Sequence, residues 1–262
     1  MKTTVTTIIL FLGLAFFACV DGISADLTQT DIAQVKSELQ AFEKGQLTLE
    51  EVTELGGEAW GRKLVAYYET HTNDVTTKME LPVSRCYGAM GKYSEAVKCA
   101  QKYVNVFSND WRGWRIIGSA SLDMQNLNVA VDAYVNAVRL GDDGSCAPLA
   151  FTAMKTDRLD VVRDIVPRLL ALKNSKPTRY VKPLDIVTAL VLYSLRSNQG
   201  DIFVKALSGV GVGDILSRSD LEFLVRQGCE QFKGKDIDKI REKMEAASGN
   251  NSNSSNTNRP PP

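Results

Sequence analysis

Residues able to do chemistry are few in this chain, and their spacing does not assemble them. The one histidine, His71, lies between Thr70 and Thr72 in a polar stretch that reads as a turn between helices. Imidazole is the usual general base near neutral pH, but His71 has no nucleophile or metal-ligand partner beside it in sequence. The glycines Gly209, Gly211 and Gly213 suggest a phosphate loop. They lack the following Lys and Ser or Thr and any preceding strand, so they are expected to end one helix and open the next through Asp214. The acid pairs Asp142 with Asp143 and Asp236 with Asp238 lack calcium-loop spacing and read as turn and cap residues. Five cysteines without a Cys-x-x-Cys pair leave a redox or zinc site unsupported. The chain is therefore expected to be no enzyme and to need no cofactor, with an unrecognised active site as the weaker alternative.

The elements that would position these residues are helical throughout. Tyr93, Ala96, Ala100 and Tyr103 form an apolar ladder that recurs as Leu127, Ala130, Tyr134 and Ala137, and Ala96 and Ala130 stand 34 residues apart. Leu159, Val162, Val166 and Leu169 repeat it after 32 residues, and Ile237, Ile240, Met244 and Ala247 repeat it again. The offsets place each set on one stripe of a 3.6-residue period, which must face something apolar. Ser84, Gly118 and Gly228 each lie 12 residues before the second rung of a ladder, where a small residue lets neighbouring helices approach. Upstream, 31–42 reads as an amphipathic helix closed by Lys44 and Gly45, and 49–55 as a short helix capped by Thr48. Gly56 and Gly57 then precede a helix carrying Trp60, Leu64, Tyr67 and Tyr68. Residues 173–183 read as a polar linker with Pro177 and Pro183, and a buried helix is expected from Leu184 to Leu195.

These residues resemble the tetratricopeptide repeat. Trp114, Ile117, Gly118, Ala130, Tyr134 and Ala137 match the family's Trp, Leu, Gly, Ala, Phe, Ala pattern, and Gly91 opens the turn before Lys92 and Tyr93 in the adjoining unit. That adjoining unit departs from the pattern at Glu80, which stands where the Trp belongs, and at Pro82. The fold class implied is all-α, a tetratricopeptide-like α-solenoid of antiparallel helix pairs with about two well-formed repeats over 77–144. Capping helices at 26–76 and degenerate helical repeats at 145–247 are expected to flank them.

The resemblance implies a scaffold or adaptor that binds a protein or peptide in a concave groove. Carried over position by position, the inward residues are Lys78, Leu81, Arg85 and Gly88, then Arg112, Arg115, Ser119 and Leu122. Lys78, Arg85, Arg112 and Arg115 are thus expected to converge on one surface, with Ser119 beside them, and to receive an acidic segment or a free carboxylate. The alternative is that these cations are solvated or paired with acids of neighbouring helices. A second function class is a structural subunit that self-associates, through apolar end faces near Trp60 or Phe232.

Residues 1–25 read as an export signal, with Lys2, an apolar stretch from Ile8 to Ala18 and small residues ending at Ala25. Cleavage near Ala25, lipid attachment at Cys19 as in a bacterial lipoprotein, and an uncleaved anchor are the three readings. The protein is expected to be periplasmic or secreted, meeting a membrane only through that end. Beyond residue 25, Cys86 and Cys99 fall on the two helices of one unit and could pair, or each of Cys86, Cys99, Cys146 and Cys229 could be a small buried hydrophobe. With 31 basic and 31 acidic residues the net charge is zero, which gives no reason to expect nucleic acid. The Asn, Ser and Pro tail at 248–262 is expected to be disordered.

Overall fold

A computed structural model describes residues 27–54 and 57–253, with side chains through Ala247. The described residues fold into helices and turns without a strand, in two compact units that meet in sequence between Ser145 and Cys146. The signal, Cys19 and the end of the tail lie outside them.

The first unit holds α1 (Gln29–Glu43), α2 (Leu49–Glu54), α3 (Gly57–Thr70), α4 (Glu80–Ala89), α5 (Tyr93–Val106), α6 (Trp111–Asp123) and α7 (Leu127–Arg139). Thr28 and Asp31 cap α1 reciprocally, and Thr48 and Glu51 exchange the same pair of bonds at α2. The Asp31 carboxyl is held down at about 2, first by its bond from Lys63 and then by those from Thr28. Trp60 Nε1 donates to the Val52 carbonyl at 2.7 Å, which locks α2 to α3. From α4 onward each helix packs on the next, α4 on α5, α5 on α6 and α6 on α7. The ladders are the reason. Ala96, Ala100 and Tyr103, then Ala130, Tyr134 and Ala137, are all buried. At Gly118 a Cβ would lie 2.7 Å from the Tyr134 ring, so the missing side chain is filled by an aromatic of the partner helix. Glu80, the departure from the family pattern, is buried and accepts from Tyr68 Oη at 2.8 Å and Lys102 Nζ at 3.3 Å. A polar network replaces the aromatic there.

The second unit holds α8 (Cys146–Lys155), α9 (Leu159–Leu172), α10 (Pro183–Ser197), α11 (Gly200–Leu207), α12 (Val212–Leu216), α13 (Ser219–Gln231) and α14 (Lys235–Asn253). Buried on most sides from Ile186 to Val191, α10 is its centre and packs on α8, α9, α11 and α13. Arg218 ties α13 to it by pairing with Asp185 at 2.6 Å and Asp220 at 2.8 Å. Two expectations are corrected here. Gly228 does not serve the α13 and α14 pair: a Cβ there would overlap the Phe203 ring of α11. The last helix runs on to Asn253, so the first part of the tail expected to be disordered is helical.

One turn closes a helix six times among the described residues: Gln46 N donates to Ala41 O at 2.8 Å after Gly45 and Asp142 N to Ala137 O at 3.0 Å after Gly141, and four copies join the helices paired from α4 to α11. Lys92 N donates to Tyr87 O at 3.0 Å, Asn126 N to Ser121 O at 2.8 Å, Arg158 N to Ala153 O at 2.8 Å, and Gln199 N to Ser194 O at 2.9 Å. The residue before each donor is left-handed: Gly91, Gln125, Asp157 and Asn198, with φ of 72, 60, 61 and 55°. These are C-terminal helix caps of the Schellman kind. The device therefore repeats in α4/α5, α6/α7, α8/α9 and α10/α11, and the pair α13/α14 lacks it. Gly45, Gly91 and Gly141 fill the left-handed position in three copies, and Gln125, Asp157 and Asn198 hold a Cβ there in the other three. Replacing the exposed Gln125 by Gly is expected to raise stability by about 0.5–1 kcal/mol, because a Cβ opposes positive φ. A urea titration reads this directly, and a fall in midpoint would contradict it.

Candidate functional site

The five residues expected to form one binding surface are not brought together. Lys78 lies in a 3-10 turn (Thr77–Met79), where Nζ donates to the Glu43 carbonyl and sits over the Phe42 ring at 6.0 Å. Arg112 folds back on its own helix cap and grips Asp110 through Nε at 2.9 Å and a terminal nitrogen at 2.5 Å. Burial works to raise the Asp110 carboxyl, but the bonds from Arg112 and from Tyr103 Oη, at 2.6 Å, outweigh it and hold it below the usual carboxylate range. Arg115 stacks on Trp111 at 4.5 Å and donates through Nε to Asp142 at 2.6 Å, with a second nitrogen on the other carboxylate oxygen. Asp142 is buried and also accepts from Ser145 Oγ at 2.5 Å and Gly144 N at 3.0 Å. The physical reason is proximity. An arginine beside a helix start finds a carboxylate in the adjoining turn before any ligand does.

Arg85 and Ser119 are the two that do meet. They line a cleft of about 140 Å³ between α4 and α6, with Gly88, Tyr93, Ile116, Ala120 and Asp123. Arg85 arrives there already paired, to Glu50 at 3.0 Å and Glu54 at 2.8 Å from α2. Ser119 Oγ donates to the Ile116 carbonyl at 3.1 Å and remains exposed. At Gly88 the nearest atom to a built Cβ is Ala96 Cβ at 3.9 Å, so its lack of a side chain keeps that wall low. Asp123, at the end of α6, is exposed at the rim of the cleft, and partial desolvation raises its carboxyl from the ordinary value. Position-by-position mapping does not reach Glu50, Glu54 or Asp123. The acidic face of α2 was the available signal for the first two.

The remaining chemical candidates pack against their neighbours in the fold. His71 stacks flat on Tyr67 at 4.6 Å and meets Thr70 Oγ1 through Nδ1 at 2.8 Å. Cys86, Cys99, Cys146 and Cys229 are buried thiols in no disulfide among the described residues, so the Cys86 to Cys99 bridge is not formed. Burial pushes the Cys86 and Cys99 thiols up to about 12, where they are not nucleophiles at neutral pH. A second cleft of about 300 Å³, between the starts of α11 and α14, mixes Lys233 and Lys235 with Asp201 and Asp236. Among the described residues no group of three His, Cys, Asp or Glu gathers as a metal site, and no helix is long and apolar enough to cross a membrane. Compared with known proteins, the sequence matches no family model and no curated protein.

Proposed function

We propose that this protein is an exported scaffold or adaptor of the tetratricopeptide type, which holds a segment of a protein partner in the cleft between α4 and α6. The observation that carries this reading is the cleft itself: equivalent helices of two adjacent pairs leave Gly88, Ser119 and Asp123 facing open volume while the ladders behind them are buried. At less than half the volume of a pocket for a drug-sized ligand, it suits one or two side chains of an extended chain rather than a small-molecule substrate. Because Arg85 is already paired with two glutamates and Asp123 stands at the other end of the cleft, the favoured segment is neutral or cationic rather than acidic. Export rests on residues 1–25, with a mature chain beginning at Asp26 or at a lipid-bearing Cys19.

The test is capture from the envelope or culture fluid of the source cells, using the mature chain and a Ser119→Trp variant. Ser119 is exposed, so the indole fills the cleft without entering a core. A partner held by the wild type and lost by the variant, with unchanged helical circular dichroism, is the expected result. Equal capture by both would remove the cleft from consideration.

A further inference from the structure

The groove expected at the start of the repeats is already filled. Lys78, Leu81 and Arg85, three of the residues expected to point into it, are all covered by one stretch of this same chain. Lys78 Nζ donates to the Glu43 carbonyl at the end of α1. Arg85 pairs with Glu50 at 3.0 Å and Glu54 at 2.8 Å on α2. Between them Leu81 is fully buried, in one apolar cluster with Phe42, Leu49 and Val52. Residues 42–54 thus stand where a partner is expected. On α2 they have the layout of a helical ligand, with Leu49 and Val52 three residues apart and Glu50 and Glu54 four apart.

Two features set α2 apart from the helices it lies on. At six residues it is far below the length at which a helix persists alone, so its neighbours hold it in shape. Left-handed glycines flank it, Gly45 and Gly57 with φ of 74 and 62°, and each faces open space where a side chain would be. Its ties include the Trp60 bond to the Val52 carbonyl and the two Arg85 pairs, whose glutamate side chains are 41 and 47% exposed. We infer that α2 is a built-in occupant of this groove, which a partner displaces by presenting an acidic amphipathic helix of the same layout. Lifting α2 uncovers Leu81 and releases Arg85 from its glutamates, and the incoming helix restores both contacts with an apolar side chain and a carboxylate. The closed groove then binds in proportion to the fraction of molecules in which α2 is lifted. With α2 in place Arg85 is matched and the small cleft beside it favours a neutral or cationic segment; with α2 lifted the same arginine selects an acidic one. Occupancy of the small cleft is not required, so equal capture by wild type and Ser119→Trp would remove that cleft and leave α2 as an occupant.

The probe is a fluorescent peptide of residues 46–54, titrated against the mature chain by anisotropy, with a scrambled peptide as control. Glu50→Lys combined with Glu54→Lys sets like charges against Arg85 and loosens α2, and both side chains are at the surface, so the fold is kept. Peptide binding should tighten about tenfold in this variant as the open fraction rises. Adding Arg85→Glu should return it to the wild-type level or below, because α2 closes again on opposite charges and the acidic peptide meets a like one. Equal binding by wild type and the lysine variant, a gain shared by the scrambled peptide, or no reversal with Arg85→Glu would each overturn the inference. Hydrogen exchange of the unaltered chain tests it without a variant. The Val52 amide, bonded to the Thr48 carbonyl at 3.1 Å, should exchange through local opening of α2. Its protection is expected to lie at least about tenfold below that of amides in α4 and α5. Equal protection would mean that α2 leaves its place only when the whole unit unfolds, and would overturn the inference.

Discussion

Replacing Asp142 by alanine is expected to destabilise the protein by about 3–5 kcal/mol, the range for removing one partner of a buried ion pair. The Asp142 side chain is 3% exposed and the Arg115 side chain 19%, so truncation removes a carboxylate that water replaces poorly beside the guanidinium. Ser145 Oγ and Gly144 N lose their acceptor in the same step. Urea unfolding followed by circular dichroism measures the loss, and a change below about 1 kcal/mol would mean that the pair is solvated as surface pairs are. The double variant Arg115→Met with Asp142→Leu should recover most of the stability, because the cost lies in the unpaired charge more than in the missing attraction. The same reasoning governs how the cations can be tested as ligands. Charge reversal at Arg115 would remove binding by disrupting the turn after α7, and would be misread as a contact.

Gly228→Ala is the second large effect, expected to cost about 1–3 kcal/mol as an overpacked core. The built Cβ overlaps Cε2 and Cζ of Phe203, an aromatic ring that is itself fully buried. Phe203 also packs on Phe232 with ring centroids 5.4 Å apart, so it has little freedom to retreat. A Phe203→Leu change alone should destabilise, yet in combination with Gly228→Ala it should cost less than the sum of the two. Thermal melts of the four proteins in this cycle give the coupling. Strict additivity would mean that the glycine is not conserving space for the ring.

Much of this architecture was legible because helix packing is written in short-range periodicity. The ladder at Ala96, Ala100 and Tyr103 needs only the 3.6-residue repeat to be seen, and its burial follows from its apolar character. Caps such as Thr48 with Glu51 are equally local. The turns were half legible. Gly91 announces a left-handed residue, but Gln125, Asp157 and Asn198 adopt the same conformation without glycine, so three further copies of the device were not readable. The fourth ladder misled in the opposite way: its spacing on α14 is right, but Gly228 packs against α11, which no sequence interval reveals.

What the sequence determined by itself was the helical class, the register of the apolar faces and the repeating pair, all of which depend on residues within a turn or two of each other. Only the tertiary structure decided what the charges do. Lys78, Arg85, Arg112 and Arg115 occupy the positions expected to line one surface, but the Glu43 main-chain carbonyl and the carboxylates of Glu50, Glu54, Asp110 and Asp142 reach them first. Arg85 and Asp142 take their partners from 27 to 35 residues away. A long side chain pairs with whichever carboxylate the packing brings within about 3 Å, and that distance is set by helices folding against one another rather than by position along the chain.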